Sequence, residues 1–474
     1  MMIKSCDVAI IGAGPAGANA GIMAASQGCH TIIIDEQAMP GGQIWRAKSG
    51  AIKSAPKTPE IIDGDKLRVS IAESNLTHIA NARVWQIERE SDKWVLYFII
   101  NGRSEKIGAK VLILATGARE YVQPTPGWTL PGVIGLAGAT ALMKRDLLTP
   151  GKRTVVSGTG PLVFFVASEI RRLGGEVAAI VTPNSRADWL RALPSMSCRI
   201  DLLRRGFVWV ADLLLAGIPI FWRHAMKQID GETKVQSVKV SKVSNDWSPK
   251  GPTRLIEADS VCIGHGLQAA SEASQLLGID VKYQLELGGW VPEVQEEGIT
   301  KINGLFICGD GAGIRGAAAA EIQGKLAGLS AAKSIRPEVN SSNLALLNSY
   351  RRASRFGMAM TGLSIPRKGF QKLITQETIV CRCESLLRCD IENEIETGAA
   401  TTNAVKSGSR AGMGPCGGKY CQSTIAKIIA DRENQSEEKI APPTPRPPLR
   451  PVSASALSGE FEYTDLQIPK PAPL

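Results

Sequence analysis

Four cysteines near the end of the chain have a spacing that suits a metal centre. Cys381 and Cys383 are one residue apart, Cys416 and Cys421 are four apart, and 32 residues lie between the two pairs. The glycines around Cys416 permit tight turns and leave backbone N–H groups free to point at sulfur, which raises the reduction potential of an iron–sulfur cluster. The set predicts a [2Fe-2S] cluster. Two alternatives remain: a structural zinc site and a set of unligated thiols. Four-cysteine zinc sites usually use C-x2-C pairs, which this chain lacks.

A second candidate site begins with a glycine turn near the N-terminus. A short apolar run precedes Gly12, Gly14 and Gly17, and a helical pattern then leads to a second apolar run, 31–34, which ends on Asp35. This order is the fingerprint of a dinucleotide-binding βαβ unit. Its glycines permit a tight turn, close approach of the backbone to a pyrophosphate, and packing of helix on strand, while Asp35 is expected to accept a hydrogen bond from a ribose hydroxyl.

The composition agrees with a large α/β protein that holds nucleotides. The chain has 474 residues, 44% of them hydrophobic, with 48 glycines and only 5% aromatic residues. Its net charge of +10 is spread along the chain without a basic run joined to aromatics, which argues against nucleic-acid binding. The longest uncharged run, 121–143, contains three prolines and four glycines, so we predict no membrane helix and expect a cytoplasmic protein.

A second strand–turn–helix–strand pattern lies between residues 154 and 181. Its turn contains Gly158 and Gly160, but Val163 stands where close packing favours Gly or Ala. The second strand runs into 181–184, with neither an acid for a ribose nor an arginine for a 2′-phosphate. We interpret this unit as a degenerate NAD(P)-like fold that serves as a scaffold or binds another anion, and real NAD(H) binding remains the alternative.

Three later segments resemble the two-dinucleotide-domain flavoproteins of the glutathione-reductase-like group. They are Gly41-Gly42-Gln43, the turn Ala115-Thr116-Gly117 after a strand, and Gly309-Asp310 before a small-residue helix. This resemblance implies bound FAD. The group's redox disulfide is missing, because 42–47 contains no cysteine, so dithiol chemistry at the flavin is disfavoured.

The FAD-binding residues implied together by the fingerprint and this resemblance lie in five stretches of the chain. They are Gly12, Gly14, Pro15, Ala16, Gly17; Asp35, Glu36, Gln37, Gly42, Gln43; Val84; Ala115, Thr116, Gly117; and Gly309, Asp310, Gly316, Ala317.

The C-terminal cysteine segment looks like the small [2Fe-2S] domain first known from bacterioferritin-associated ferredoxin. With the two nucleotide folds, it makes nearly the whole chain resemble the α (A or B) subunits of heteromeric flavin-dependent amine and imino-acid dehydrogenases. The segments that convey this most specifically are 126–132, Gly288-Gly-Trp290, 309–313, Cys381-Arg-Cys-Glu384 and 409–416. Gly417-Gly-Lys419 and Gly264-His-Gly-Leu267 depart from the expected pattern, but neither removes a ligand.

The resemblance implies an electron-transferring subunit. A catalytic β subunit with its own FAD would oxidise the C–N bond of an opine or imino acid, and electrons would pass through this chain to an external acceptor, through which it could associate with a membrane. The scheme leaves room for an FMN at the interface with the β subunit and for a small γ subunit. The alternatives are a cyanide synthase subunit that oxidises glycine, a stand-alone NAD(P)H-dependent oxidoreductase of the ferredoxin-reductase type, and a non-enzymatic scaffold. We assign no catalytic acid or base, and the four histidines are interpreted as structural or solvent-facing.

These segments divide the chain into a discontinuous FAD domain and its additions. We expect the FAD domain at 1–121 and 300–335, an inserted degenerate domain at 122–299, a connector at 336–376 and the [2Fe-2S] domain at 377–432. The Pro-rich tail, 433–474, is either disordered or an arm that covers a partner subunit; nine of the chain's 27 prolines lie after residue 440.

Overall fold

Runs of β-branched residues bounded by glycine form the buried strands of the first sheet. The computed structural model describes residues 4–54, 56–340 and 343–458. Its first elements are β1 (Lys4–Ile11), α1 (Pro15–Ser26), β2 (Thr31–Ile34), α2 (Pro59–Glu73), β3 (Leu76–Ile79), β4 (Arg83–Glu90), β5 (Lys93–Ile100) and β6 (Arg103–Leu114). The strand order is β3-β2-β1-β6-β5-β4, parallel from β3 to β6 and antiparallel beyond it.

The middle of the chain forms a second, five-stranded parallel sheet and a three-stranded antiparallel sheet. Its elements are β7 (Ala118–Glu120), β8 (Val133–Gly135), α3 (Leu136–Asp146), β9 (Arg153–Gly158), α4 (Leu162–Arg172), β10 (Glu176–Thr182), α5 (Arg186–Met196), α6 (Ile200–Leu215), β11 (Ile220–Trp222), β12 (His224–Asp230), β13 (Ser237–Val243), β14 (Pro249–Glu257) and β15 (Ser260–Gly264). The parallel sheet has the order β11-β10-β9-β15-β8, and β12, β13 and β14 form the antiparallel one.

The chain then returns to the first sheet and ends in a small helical domain. The remaining elements are β16 (Leu267–Ala269), α7 (Glu272–Leu276), β17 (Val281–Gln284), β18 (Gly289–Pro292), β19 (Leu305–Ile307), α8 (Ala317–Ile335), α9 (Leu344–Ser364), β20 (Ile379–Cys381), β21 (Leu386–Leu387), α10 (Arg388–Glu396), α11 (Thr402–Ser409), α12 (Gln422–Arg432) and α13 (Ala454–Ser458). β19 pairs in parallel with β6, which completes the seven-stranded sheet.

The inserted fold ends earlier than the sequence indicates. β16 pairs with β7, and Ala273 and Ile279 lie in the same hydrophobic core as β1 and β6. Residues 267–299, which we expected in the inserted domain, therefore pack with the first domain. The sequence missed this because the antiparallel hairpin of β17 and β18 has no feature that distinguishes it from the strands of β12–β14.

The helices of the described part of the chain leave no candidate for a membrane span. None of them, in 4–54, 56–340 or 343–458, is both long and apolar enough to cross a bilayer.

Candidate functional site

The glycine turn after β1 leaves a space beside its backbone. Gly12 has a φ of +100°, and a Cβ on it would lie 2.5 Å from the carbonyl oxygen of Ala115. A Cβ on Gly17 would lie 1.9 Å from the carbonyl oxygen of Gly12, so helix α1 can approach β1 only without a side chain there. At Gly14, by contrast, the nearest atom to an added Cβ is the Cα of Gly42, at 3.9 Å. Gly12 and Gly17 close the turn, and Gly14 keeps room for a ligand.

Two helices point their N-termini toward this region because small residues let them pack closely. A Cβ on Gly324 of α8 would lie 2.1 Å from the carbonyl oxygen of Ala16 in α1, and one on Gly328 would lie 2.4 Å from that of Ala20. Helix α1 begins at Pro15 and α8 at Ala317, just after Gly316 with a φ of +79°. Their free N–H groups and their dipoles favour an anion such as a pyrophosphate.

Asp310 organises the turn before α8. Its Oδ1 accepts hydrogen bonds from the N–H groups of Arg315 and Gly316, both at 3.0 Å, and burial raises the pKa of its carboxyl. The preceding Gly309 donates its N–H to Gln323 over 2.8 Å. The second expected turn lies alongside, because a Cβ on Gly311 would contact Thr116 Oγ1 at 3.1 Å. The structure thus brings the segments around 12–17, 115–117 and 309–317 together, as the sequence predicts.

Three of the expected ligand residues are engaged within the protein. Asp35 is 7% exposed, and its carboxylate accepts the N–H groups of Ala13 and Gln37, so it closes the turn rather than standing free for a ribose. Burial raises its pKa. Glu36 Oε1 accepts a hydrogen bond from Arg450 Nε at 2.9 Å. Val84 packs in the first core, so any contact with a dinucleotide would come from its backbone.

The side chains of Gln37 and Gln43 meet at Arg46. Gln37 Oε1 accepts from Arg46 Nη1 at 3.0 Å, and Gln43 Oε1 accepts from Nη2 of the same guanidinium. This arrangement keeps the loop after β2 beside the glycine turn, where Gly42 lies against Gly14.

The corresponding turn of the inserted fold is closed by the chain itself. A Cβ on Gly160, the counterpart of Gly14, would lie 2.1 Å from the hydroxyl oxygen of Ser364 at the end of α9. Thr159 Oγ1 donates to the carbonyl oxygen of Ser364 at 3.0 Å. Helix α4 starts at Leu162, and Val163 behind it is fully buried. The end of α9 therefore stands where a pyrophosphate would approach such a turn.

Asn184 completes this closure. It is 2% exposed, its Oδ1 accepts from Gly160 N at 3.2 Å, and its Nδ2 donates to the carbonyl oxygen of Leu363 at 2.9 Å. It lies just after β10, near the end of the strand where a ribose-binding acid is found in working dinucleotide folds. The sequence shows that the acid is missing, but not that an amide in its place ties the turn to α9.

Glu120 lies where the chain leaves the first domain for the inserted one. Its Oε1 accepts the N–H of Ala137 at 2.9 Å, in the first turn of α3, and Gly135 and Gly264 leave space for the carboxylate. Burial nevertheless raises its pKa to about 8, because the low-dielectric surroundings disfavour the charged form more than these N–H groups favour it.

The four predicted cluster cysteines come together in the C-terminal domain as two thiol pairs. Cys381 is hydrogen-bonded to Cys421, and Cys383 to Cys416. Cys381 and Cys421 are buried, Cys416 is half-buried and Cys383 is exposed, so one side of the site faces solvent. No three His, Cys, Asp or Glu side chains in the described chain converge as a single metal ion would need. Two pairs of thiolates suit a [2Fe-2S] cluster, which takes two on each iron.

Hydrogen bonds around Cys381 favour its thiolate. The Cys421 thiol and three backbone N–H groups lower the pKa of Cys381 to about 6. These N–H groups belong to Gly412, Glu384 and Cys383. The shared proton and burial raise the pKa of Cys421. The glycines near Cys416 also make room, since a Cβ on Gly414 would lie 2.2 Å from the Cβ of Cys383. The donor set and its loops fit an iron–sulfur cluster.

Four of the other thiols and His265 are buried. Cys6, Cys29, Cys262 and Cys308 are buried and free, while Cys198 and Cys389 are half-buried. His265 is 4% exposed, its Nδ1 accepts from Gln123 N at 3.0 Å, and burial lowers its pKa to about 3.

A cavity of about 240 Å³ lies between the first domain and the cluster domain. Five basic side chains and two carboxylates are among its lining residues: Arg119, Lys406, Lys419, Lys427 and Arg446, with Glu272 and Glu437. Tyr121 Oη, at its wall, is buried without a hydrogen-bond partner in the described residues. Lys427 Nζ lies 4.7 Å from the centre of the Tyr121 ring. The excess of basic over acidic side chains in its lining favours an anionic ligand.

The Pro-rich segment folds back onto its own chain. Its first residues bond to α11, where Thr402 Oγ1 donates to the carbonyl oxygen of Ala441 at 2.9 Å. Its far end reaches the first domain, where Leu449 N donates to the carbonyl oxygen of Trp85 at 2.8 Å and Arg450 pairs with Glu36. We call residues 441–450 the strap. Neither expectation for the tail foresaw it, because contacts between residues several hundred positions apart leave no local pattern; residues 459–474 lie outside the described chain.

Comparison with known families agrees with both sites. Residues 6–324 match the pyridine nucleotide-disulphide oxidoreductase family, and residues 379–431 match the BFD-like [2Fe-2S] binding domain. The fold is similar to that of L-proline dehydrogenase from P. horikoshii, with a TM-score of 0.73 and 20% identity over 96% of this chain and 80% of that one.

Two curated relatives are similar over almost the full length. The A subunit of opine oxidase from Agrobacterium tumefaciens (strain Ach5) is 30% identical over 95% of this chain and 91% of its own length. The HcnB subunit of hydrogen cyanide synthase from Pseudomonas aeruginosa is 28% identical over 94% of this chain and 97% of its own. The predicted two-domain flavoprotein fold, the [2Fe-2S] domain and the resemblance to these subunits are confirmed.

Proposed function

The chain belongs to the pyridine nucleotide-disulphide oxidoreductase family and contains a BFD-like [2Fe-2S] domain, and on this basis we propose that it is the electron-transferring subunit of a heteromeric dehydrogenase. It is a flavin- and iron–sulfur-dependent oxidoreductase subunit that binds FAD and a [2Fe-2S] cluster. In the proposed complex, a partner subunit oxidises the C–N bond of an opine or imino acid, and this chain conducts the electrons to an external acceptor.

A contrast between two regions supports this function above the others. The cluster domain is joined to the FAD domain by the strap, whereas the glycine turn of the inserted nucleotide fold is covered by the end of α9. Ser364 and Asn184 hold the Gly160 turn, which is where NAD(P)H would have to bind. The stand-alone NAD(P)H oxidoreductase therefore lacks an entry for its reductant. Electrons that reach the FAD domain are better supplied by a protein partner, as the word subunit in the relatives' names suggests.

The residues of this chain bind and position the two groups. We propose that the N–H groups of Gly14 and Ala317, at the starts of α1 and α8, hold the FAD pyrophosphate, and that Asp310 keeps the turn before α8 in place through its bond with Gly316. Cys381, Cys383, Cys416 and Cys421 hold the cluster. A flavin accepts electrons in pairs and can release them singly to a one-electron iron–sulfur carrier, which is the chemistry this combination supplies.

The FMN expected from the resemblance has a candidate position in the basic cavity. Lys419 and Arg446 would bind a phosphate there, and the unpaired Oη of Tyr121 would donate to a flavin ring. Chromatography of the flavins released by denaturing the co-expressed complex tests this. Lys419→Ala should lower the FMN-to-FAD ratio, and an unchanged ratio would contradict the assignment.

The cluster ligands are tested by two substitutions and a matched control. Cys383→Ser and Cys421→Ser should each abolish the iron absorbance and the electron paramagnetic resonance signal of the reduced protein. Cys389→Ser, which lies outside both thiol pairs, should keep both. Full signals in either ligand variant would remove that cysteine from the set.

The division of labour is tested with and without the partner. The purified chain alone should not oxidise octopine, nopaline or proline, and NADH should not bleach its flavin rapidly. The partner subunit is identified by its co-purification with this chain. When the two are expressed together, addition of the amine should reduce the cluster and produce its electron paramagnetic resonance signal. Full amine turnover by the isolated chain would overturn the proposal.

Glycine is the second candidate substrate, favoured by the similarity to the cyanide synthase subunit. A substrate screen on the purified complex separates it from opines. Cyanide release from glycine, without octopine oxidation, would select this alternative.

A further inference from the structure

An apolar stripe covers the outer face of α6. Ile200, Phe207, Val208, Leu214 and Leu215 are each 58–90% exposed. With Arg204 and Ala211 between them, the exposed positions repeat at intervals of three and four residues, which places them on one side of the helix. This helix therefore presents its hydrophobic residues to the outside, the reverse of an ordinary surface helix.

The inner side of α6 packs against the hydrophobic core of the inserted fold. Leu213 is fully buried, and Trp209 and Val210 pack on the core of the inserted fold. The ring of Trp209 lies 5.0 Å from that of Phe165 in α4. The outer stripe is thus not a missing part of the core. It is the solvent-facing side of a helix whose other side packs on α4. We call this solvent-facing apolar stripe of α6 the crest.

The preceding helix extends the same surface. Leu190 in α5 is 64% exposed, and Arg186 and Arg191 are exposed beside it. We call the outer side of residues 186–215 the ridge.

Arginines surround the ridge, and its acids are paired. Residues 186–215 contain five arginines and three aspartates, a net charge of +2 within a chain of +10. Each aspartate has an arginine partner: Asp201 pairs with Arg199, Asp212 with Arg171, and Asp188 with both Arg191 and Arg367. The exposed Arg204 lies on the crest itself, among the apolar side chains. Arg205 is paired in turn with Asp63, so among the described residues the excess positive charge around the stripe comes from Arg186 and Arg204.

We propose that the ridge docks on an anionic phospholipid surface. A helix with aliphatic and phenylalanine side chains on one face and arginines around them lies in the headgroup boundary, with its apolar face inserted by roughly 5–10 Å. The five apolar side chains of the crest suit this insertion, and the guanidinium groups match phosphate headgroups. This inference goes beyond the proposed redox function and does not depend on it.

Flotation of the full-length, flavin-loaded chain with vesicles tests the proposal. We expect binding to vesicles that contain about one-third phosphatidylglycerol, and much weaker binding to pure phosphatidylcholine or in high salt. The double variant Phe207→Ser/Leu215→Ser should reduce the bound fraction about tenfold. The control Leu255→Ser/Leu344→Ser changes two leucines that are also well exposed, at 59% and 75%, but lie outside the ridge, and it should bind like the parent chain.

Three results would overturn the proposal. The first is equal flotation of the ridge variant and the parent chain, with flavin absorbance confirming that both are folded. The second is that the parent chain does not float with vesicles, while light scattering shows the parent chain as a dimer and the ridge variant as a monomer. This result would assign the ridge to an interface with a second copy. The third is loss of vesicle binding when the co-purifying subunit is present, which would assign it to that subunit.

Discussion

The two nucleotide folds of this chain share one plan but differ at a single turn. Gly14 and Gly160 occupy equivalent positions in two glycine turns, one between β1 and α1 and the other between β9 and α4. An added Cβ at Gly14 would meet nothing nearer than 3.9 Å, whereas one at Gly160 would lie 2.1 Å from Ser364. The first turn has room for an anion beside Gly14, whereas the corresponding space beside Gly160 is filled by the end of α9. The comparison shows that the strand order alone does not make a binding site.

The difference also changes what each turn contributes to stability. The FAD turn leaves the N-terminus of α1 available to a ligand, so its free N–H groups depend on a cofactor or on water. In the inserted fold, Asn184 and Thr159 bond to residues of the chain itself. We expect substitutions in the first turn to affect cofactor retention, and substitutions in the second to affect folding.

Gly14→Val should produce the largest effect. Gly14 has a φ of −69°, and an added Cβ would lie no closer than 3.9 Å to another atom, so a side chain here begins without a backbone clash and extends into the space beside the turn. The affinity for FAD should fall by at least about 100-fold, while the fold is kept. Flavin absorbance after gel filtration, with circular dichroism as the control for folding, measures both. Retained FAD would mean that the pyrophosphate does not lie at this turn.

Asn184→Ala should have the next largest effect, and on stability rather than on the flavin. It leaves the buried Gly160 N–H and Leu363 carbonyl without their partner, at a cost of about 2–3 kcal/mol. Chemical denaturation measures the loss, and FAD content should be unchanged. If the variant instead gains rapid reduction by NADH, the inserted fold is a regulated site and not a closed one.

Glu120→Gln tests the boundary between the two folds. The raised pKa of Glu120, about 8, means that the folded state holds a proton that the unfolded state loses near pH 4.5. The contribution of this group to stability is therefore full below about pH 4.5 and is lost as the pH rises through about 8. Glutamine keeps the acceptor for Ala137 without the charge. The variant should show a flatter fall of Tm across this same pH range, and an unchanged slope would contradict the shift.

Arg450→Ala should have the smallest effect. Its ion pair with Glu36 is 42% exposed on both sides, so it contributes only about 0–1 kcal/mol. We expect at most a few-fold change in the affinity for FAD, measured by fluorescence titration. A larger loss would show that the strap, and not only the glycine turn, holds the dinucleotide.

Local sequence patterns predicted the parts of the sites that neighbouring residues build. The strand before Gly12 and the helix after it appear as β1 and α1, and the helix after Cys421 appears as α12. The spacing of the cysteines also predicts that all four meet at one place, although it does not show that the thiols pair crosswise, Cys381 with Cys421. The strand, turn and helix predictions succeeded because turn and helix propensities depend on residues that are adjacent in the sequence.

Most of the features that the sequence missed join distant segments. Ser364 meets Gly160 across about two hundred positions, and Arg450 meets Glu36 across more than four hundred. Asp35 was expected to face a ribose, but its burial makes the nearby amides of Ala13 and Gln37 its partners. These outcomes are decided by tertiary packing, and the pattern of a single strand or turn does not contain them.

The strap has a consequence for how quickly electrons can move. The [2Fe-2S] domain is tied to the rest of the chain by α9 at its start and by residues 441–450 at its end, and Ser423 adds a hydrogen bond of 2.7 Å to Gln268. We expect a domain anchored in this way to stay in place rather than to swing between a donor and an acceptor. Transfer between the two redox groups then needs no diffusional step, so thickening the solvent with sucrose should leave its rate unchanged.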